Sequence, residues 1–147
     1  RNTGGGLARG LELSMEANPT RSLVARASYT YTTADEPQSV FSGGTLQSVR
    51  ISKHMWTATA LQHLGRRLDV AFDVFAASDY LYGFGNRPFE FAGPVKADVA
   101  VTYSLFGSDA RAVHVFTRVE NFLNRAYYED GFPTPGAWAV GGIKVLF

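Results

Sequence analysis

The strongest constraint on the fold of this chain is a two-residue alternation of apolar and polar side chains that returns in segment after segment. Successive side chains of a β-strand point to opposite faces of its sheet, so the alternation predicts strands with one apolar and one polar face. The clearest case is 95–105, where one face carries Val95, Ala97, Val99, Val101, Tyr103 and Leu105. The pattern also covers 7–16, 23–32, 68–74 and 113–120, is mixed over 49–64, and a last strand is expected over 137–147. We therefore predict an all-β chain of seven antiparallel strands.

The connections between these strands alternate between short and long. Tight polar turns are expected at 18–21, 65–67 and 107–111, and longer loops near 34–48, 81–94 and 122–136. Up-and-down barrels of the bacterial outer membrane have short periplasmic turns at one rim and longer extracellular loops at the other. Strands of roughly 10–14 residues are also long for a soluble protein and sufficient to cross a bilayer at a tilt. The sequence thus favours an antiparallel up-and-down transmembrane β-barrel.

The polar rows decide which face of such a barrel meets water. They carry charges of both signs, namely Glu12, Glu16, Arg26, Asp69, Asp73, Lys96, Asp98, Arg118 and Glu120. Burying unpaired charges in a dry core is costly, so these rows should line an aqueous lumen and the apolar rows should face lipid. Tyr29, Tyr31 and Tyr103 fall near strand ends, where interfacial aromatic girdles occur.

Composition excludes several other classes. The 147 residues include 14 Lys and Arg against 13 Asp and Glu. This net charge of +1 is not the strongly basic balance that indicates nucleic acid binding. No apolar run approaches the ~18 residues of a membrane-spanning helix. The lack of cysteine excludes disulfides and thiolate metal sites. Neither an initiator Met nor a signal region opens the chain, so we expect a fragment whose secretion signal lies upstream.

A family resemblance lies in residues 118–128, which read Arg-Val-Glu-Asn-Phe-Leu-Asn-Arg-Ala-Tyr-Tyr. They resemble the "v-x-N-L-f/l-d/n-k-x-Y" segment that precedes the final strand of TonB-dependent receptors. Residues 131–136, Gly-Phe-Pro-Thr-Pro-Gly, are similar to the "G-y-P-x-P-G-R" loop of that family, except that Ala137 replaces the arginine. The segments 9–13 and 27–31 are similar to an earlier hairpin of the same barrels, so the resemblance covers essentially the whole chain.

The last strand resembles the signal that the barrel-assembly machinery reads in outer-membrane proteins. That signal is a glycine followed by two hydrophobic or aromatic positions, which here are Gly142, Val145 and Phe147. Its usual polar first position is Val140. The resemblance therefore implies the barrel-assembly machinery as a partner.

The family resemblance implies the cell outer membrane of a Gram-negative bacterium and a barrel of about 22 strands, of which residues 1–147 would form the C-terminal part. An N-terminal plug and the segment that engages the TonB system would lie upstream. The implied function is active transport of a small molecule, with iron–siderophore uptake the commonest role, without covalent chemistry or a resident cofactor. Receptors for cobalamin, haem or an oligosaccharide are alternatives within transport. A passive porin is a further alternative, and a soluble lipocalin-like binder would need inward-facing apolar rows.

Candidate ligand contacts lie in the long loops, where aromatic rings and an arginine would suit catecholate or other anionic chelates. They are Tyr80, Tyr82, Phe84, Arg87, Phe89, Tyr127 and Tyr128. The charged rows are interpreted as cross-strand ion pairs and plug contacts. His54, His63 and His114 lie on different predicted strands, so we expect neither a metal site nor a Ser-His-Asp hydrolase.

Overall fold

A computed structural model describes residues 6–37, 45–47, 50–84, 87–108, 111–129 and 131–147, with backbone alone at 36–37, 45–47, 83–84, 87–88 and 108. All the regular secondary structure in these ranges is β-strand. In chain order the strands are β1 (Leu7–Thr20), β2 (Leu23–Pro37), β3 (Thr45–Gln47), β4 (His54–Leu64), β5 (Leu68–Ala77), β6 (Tyr80–Phe84), β7 (Arg87–Phe91), β8 (Val95–Ser108), β9 (Arg111–Glu120), β10 (Tyr128–Glu129), β11 (Phe132–Pro133) and β12 (Trp138–Leu146). No helix in the described part of the chain is long and apolar enough to span a bilayer.

Seven long strands form one antiparallel sheet in the order β1-β2-β4-β5-β8-β9-β12. This confirms the predicted all-β antiparallel fold. The sheet is open, with β1 and β12 at its edges, and the short β3 pairs only with β2. Two hairpins, β6-β7 and β10-β11, stand apart from it within the long connections.

The strand register gathers the apolar side chains on one face of the sheet. One row across five strands consists of Met15, Ala27, Ala58, Val74 and Ala97. The next row consists of Ser14, Ser28, Thr57, Phe75 and Lys96. We call the face of the first row the apolar face and that of the second the polar face.

The register also assigns β4, whose sequence pattern is mixed. Trp56, Ala58 and Ala60 pair with Tyr29, Ala27 and Ala25 of β2 and therefore belong to the apolar face. Gln62 shares that face near the end of β4, where its amide donates to Ser22 O at 3.1 Å and bonds Ser22 Oγ at 3.0 Å. The side-chain amide of this glutamine, which breaks the apolar alternation, thus finds hydrogen-bond acceptors in a neighbouring turn.

The apolar face has little protein packed on it. Leu13, Met15, Ile143 and Val145 are all more than half exposed, and none of the large side chains described is fully buried. The buried apolar residues of the described ranges are few and scattered, namely Ala34, Tyr80, Ala97, Ala112 and Tyr127. A soluble domain of about 150 residues would instead bury roughly two thirds of its surface. The described sheet is therefore a single layer, not one wall of a packed core.

The two ends of the sheet differ in their connections. At one end, the turn end, short links join β1 to β2, β4 to β5 and β8 to β9; at the other, the loop end, the links are long. Gly65 adopts a left-handed φ of 67° in one tight turn. Gly107 has a φ of 119°, and a Cβ there would lie 2.0 Å from Arg111 O, so glycine is required.

Several predicted boundaries were wrong. The turn expected at 18–21 lies at 21–22, because β1 continues to Thr20. β4 begins at His54 and not at Val49, because Arg50 takes a left-handed φ of 65° that a strand cannot continue. β2 continues to Pro37, beyond the predicted loop start at 34, because β3 pairs with its end. The predicted loops 81–94 and 122–136 contain the two extra hairpins.

Candidate functional site at the loop end

Three segments of the loop end meet around a cluster of aromatic rings. The β6-β7 hairpin supplies Tyr80, Tyr82 and Phe91, and the last long connection supplies Tyr128. Phe91 is central: its ring centroid lies 5.8 Å from that of Tyr80, 6.2 Å from Tyr82 and 5.2 Å from Tyr128. Such spacings are typical of favourable aromatic pairs.

A hydrogen bond fixes this cluster across a long sequence separation. The Tyr80 hydroxyl donates to the Tyr128 carbonyl oxygen at 2.8 Å, and Tyr80 is only 8% exposed. A buried tyrosine needs such a partner, because an unsatisfied hydroxyl in an apolar setting is costly. The bond therefore joins the β6-β7 hairpin to the β10-β11 connection.

Arg50 enters the same cluster from the third segment. Its guanidinium carbon lies 4.9 Å from the centroid of the Tyr82 ring, and its Nη2 donates to the Tyr82 hydroxyl at 3.2 Å. Gly131 also lies against this tyrosine, because an added Cβ there would be 3.2 Å from the ring. Tyr82 is thus held by a cation–π contact and by a glycine that admits its ring.

A cavity of about 360 Å³ opens beside this cluster on the polar face. Its lining combines aromatic and apolar surface with one cation and one carboxylate: Arg50, Ser52, Met55, Phe75, Ala77, Tyr80, Pro94, Tyr128 and Glu129. Largely apolar surfaces with a few polar groups are typical of small-molecule sites.

A network of four charges borders the cavity. Lys96 lies directly opposite Phe75 of the cavity lining. Its Nζ is 3.3 Å from Asp98 Oδ2 and 3.9 Å from Glu120 Oε2. Arg118 completes the network at 3.3 Å from Asp98 and 3.1 Å from Glu120. The predicted cross-strand ion pairing therefore holds for these four residues.

Among the other carboxylates of the predicted charged rows, Glu16 also forms a cross-strand pair, with Arg26 at 2.8 Å, whereas Asp69 and Asp73 behave differently. Asp69 Oδ1 lies 2.6 Å from His63 Nδ1 on the neighbouring strand. Asp73 lies directly opposite Asp98 and forms no ion pair with any described residue. Its exposure to solvent on the polar face is consistent with a charge that stays hydrated.

Asp98 also anchors the last long connection. This carboxylate is 4% exposed and accepts the backbone N–H of Asn121 at 2.8 Å. Asn121, 3% exposed with a φ of 48°, donates its side-chain amide to Arg125 O at 2.9 Å and Pro135 O at 3.2 Å. Asparagine tolerates this left-handed conformation better than most residues. The buried pair therefore sets the path of the chain that leads to Tyr127 and Tyr128.

Asn124 and Phe122 secure the same connection in other directions. Asn124, with a φ of 51°, accepts the Ala137 N–H at 2.9 Å through its side-chain oxygen. Phe122 packs its ring 5.7 Å from Phe72 of the apolar face, and its N–H donates to Ala97 O at 2.9 Å. The two asparagines and the phenylalanine of the 118–128 motif thus have separate structural tasks.

The structure brings together only some of the predicted ligand contacts. Tyr80, Tyr82 and Tyr128 lie in the aromatic cluster, whereas Tyr127 is buried, with its carbonyl accepting two bonds from Thr134. Phe89 pairs with Tyr82 across the hairpin and is 51% exposed. Phe84 and Arg87 pair at the hairpin tip, and their side chains lie outside the described part. Contact with a ligand stays a prediction for all seven.

Sequence reasoning missed Arg50, Glu129 and the anchoring role of Asn121. Asn121 was visible within the family motif, but nothing in the local pattern marked Arg50 or Glu129. The three histidines have separate partners: Tyr29 for His54, Asp69 for His63 and Ser104 for His114. The described residues contain no group of three potential metal ligands.

The predicted assembly residues are spread over both faces of β12. Gly142 lies opposite Phe116 on the polar face, and a Cβ there would be 2.9 Å from the end of the Phe116 ring. Val145 pairs with Val113 on the apolar face, and Phe147 is fully exposed. An aromatic ring that covers an edge-strand glycine supports its pairing.

Comparison with known proteins shows the fold. No protein-family model matches the chain, and no curated protein matches it. Among solved structures, the siderophore receptor PiuA from Acinetobacter baumannii is similar, with a TM-score of 0.67 and 17% sequence identity. The match covers 95% of this chain and 22% of the receptor, so the chain spans less than a quarter of its length. The antiparallel sheet therefore has the fold of part of a β-barrel receptor.

Proposed function

We propose that this chain is part of the outer-membrane β-barrel of a TonB-dependent receptor that imports iron–siderophore complexes. The observation that carries the proposal is a seven-stranded antiparallel sheet with an exposed apolar face and a charged opposite face. The fold similarity to a siderophore receptor supports the same conclusion.

Physical reasoning favours a bilayer as the medium of the apolar face. In water, the apolar face would expose a large hydrocarbon surface, including the side chains of Leu13, Met15 and Ile143. The free-energy cost of this exposure is roughly 25 cal/mol per Å² of apolar surface. Lipid removes this cost, while Asp73 and the four-charge network remain on the face that an aqueous lumen would wet.

Ligand capture is assigned to the loop end. The cavity beside the aromatic cluster is lined by the buried Tyr80, the exposed Tyr128 and the cationic Arg50. These groups suit a chelate with aromatic and anionic parts, because guanidinium groups bind anionic oxygens and rings stack. The hydrogen bond from Tyr80 to Tyr128 and the Asp98–Asn121 anchor would hold the cavity open before the ligand arrives.

The test shortens the β6-β7 hairpin in the full-length protein. Replacing residues 82–89 by Asn-Gly keeps Tyr80 and Phe91 and closes the hairpin with a favoured two-residue turn. The anchors at its base also stay, since Gly93 N donates to Asp79 Oδ1 at 2.8 Å and Ala77 N to Pro94 O at 2.9 Å. We expect normal amounts in the outer membrane and at least about tenfold weaker uptake of radiolabelled ferric chelates.

Point variants refine this test. Arg50→Gln should lower uptake. Arg9→Gln should not, because Arg9 is an exposed arginine on the face of β1 that carries its apolar side chains. Removal of TonB should abolish uptake in every case. Uptake that persists without TonB would indicate a passive pore, and import of cobalamin but no ferric chelate would replace the siderophore assignment.

A further inference from the structure

A second cavity lies at the turn end, at the opposite end of the strands from the ligand site proposed above. Its volume is about 840 Å³. The lining is half polar in character and includes two arginines, a histidine and a serine: Arg66, Arg67, Ser104, Phe106, Gly107, Ala112, His114 and Leu146. Ser104, Gly107, Ala112 and His114 belong to the polar face by register.

Backbone geometry brings the two arginines over this cavity. Gly65, at a φ of 67°, lets β4 reverse into β5 within three residues, which places Arg66 and Arg67 at the tip. The Arg67 carbonyl then accepts the N–H of Ser104 at 2.7 Å. This bond ties the turn to β8, two strands along the sheet from β4, and holds both arginines at the cavity wall.

His114 forms the opposite part of the lining. Its Nδ1 lies 2.9 Å from Ser104 Oγ, which fixes the ring and leaves Nε2 for another partner. Lys144 of β12 lies directly across from His114 in the sheet register. A third cationic side chain therefore shares this end of the polar face.

These cations are not neutralised by neighbouring carboxylates in the part of the chain that the structure describes. Arg66, Arg67 and Lys144 form no ion pair with a described residue. Asp69, two residues beyond the turn, is held by His63 at 2.6 Å. Among the described residues, no carboxylate balances the two guanidinium groups of the cavity, the nearby ammonium of Lys144 or the imidazole of His114.

We propose that this cavity binds an anion that carries phosphate groups. Guanidinium forks match phosphate oxygens in bidentate geometry, and the imidazole can supply a further donor. A single carboxylate would leave most of the positive charge unmatched, whereas a diphosphate carries enough negative charge for three cations. The volume also exceeds that of one phosphate group, which leaves room for the rest of a phosphate ester or lipid headgroup.

The test measures binding of inorganic pyrophosphate to the full-length protein in phosphatidylcholine nanodiscs by isothermal titration calorimetry. The double substitution R66Q/R67Q should weaken binding by about tenfold or more, since it removes two charge-assisted contacts. Arg21→Gln is the matched control, because it removes an exposed arginine from another turn at the same end that does not line the cavity. Its affinity should equal that of the unsubstituted protein.

A second variant guards against misfolding of the altered turn. His114→Gln leaves residues 65–67 intact and should weaken pyrophosphate binding several-fold. Adding phosphatidylglycerol to the nanodiscs distinguishes the sources: competition with pyrophosphate would assign a lipid headgroup, and an unchanged affinity would assign a soluble phosphate compound. Failure of the unsubstituted protein to bind, or an equal loss in Arg21→Gln, would overturn the proposal. Neither result would bear on uptake at the loop end.

Discussion

Val99→Arg tests the assignment of the two faces at the position where the penalty should be largest. Val99 belongs to the apolar face and pairs with Phe72 of β5 and Val119 of β9. Phe72 is the fifth of the ten residues of β5 and Val99 the fifth of the fourteen residues of β8, so this pair lies away from the ends of both strands. If the apolar face contacts lipid, Val99 lies near the bilayer midplane.

The expected magnitude follows from the medium around the new side chain. An arginine on the lipid face of a barrel costs roughly 2–4 kcal/mol near the midplane, because its charge must be moved to an interface or left poorly solvated. Neither Phe72 nor Val119 offers an opposite charge. The folding equilibrium constant should therefore fall by roughly 30- to 700-fold at about tenfold per 1.4 kcal/mol.

The matched control is Ala71→Arg, one residue before Phe72 on the polar face. Ala71 lies opposite Leu61 and Ala100, and the same face of its own strand carries Asp69 and Asp73. Water and these two carboxylates can accommodate a guanidinium, so the expected cost is below about 1 kcal/mol.

Urea titrations of the full-length protein in lipid vesicles would measure both free energies of unfolding. Tryptophan fluorescence is a suitable signal, and protease protection would report membrane insertion. Equal penalties for the two variants, or a larger penalty for Ala71→Arg, would show that the faces are assigned the wrong way round.

Two further predictions concern assembly and the last long connection. Deleting Phe147, or changing it to Asp, should lower the amount of protein in the outer membrane by immunoblot, because the exposed terminal ring resembles part of the assembly signal; undiminished levels after both changes would contradict that role. Asn121→Ala removes the hydrogen bonds to Arg125 and Pro135 and places alanine at a φ of 48°, at a combined cost of roughly 2–4 kcal/mol. Trypsin should then cleave after Arg125 several-fold faster on intact cells, and an unchanged cleavage rate would show that Asn121 does not hold this connection.

Much of the sheet could be predicted because its signal is local. A strand needs only that alternate residues share a face, and 95–105 or 7–16 satisfy this without reference to any other segment. Glycine-containing and polar turns likewise depend on a few neighbouring residues. The mixed strand β4 shows the limit of this reasoning, since its faces became clear only from pairing with β2 and β5.

The candidate site shows the same division more sharply. The loop aromatics Tyr80 and Tyr128 could be proposed from residue type, but 48 positions separate the partners of their hydrogen bond. Arg50 faces Tyr82 across 32 positions, and Asp98 receives Asn121 across 23. No short pattern encodes such contacts, because they depend on how separate loops pack after the sheet has formed.

The sequence by itself determined the all-β class, the seven long strands, the two faces of every long strand except β4, and the alternation of short and long connections. Each of these follows from the geometry of an extended chain and from the cost of exposing apolar or burying charged side chains. Only the tertiary structure decided that Lys96, Asp98, Arg118 and Glu120 form one network and that Arg66 and Arg67 share a cavity with His114. Those arrangements depend on strand register and turn conformation, which bring side chains from different segments within reach of one another.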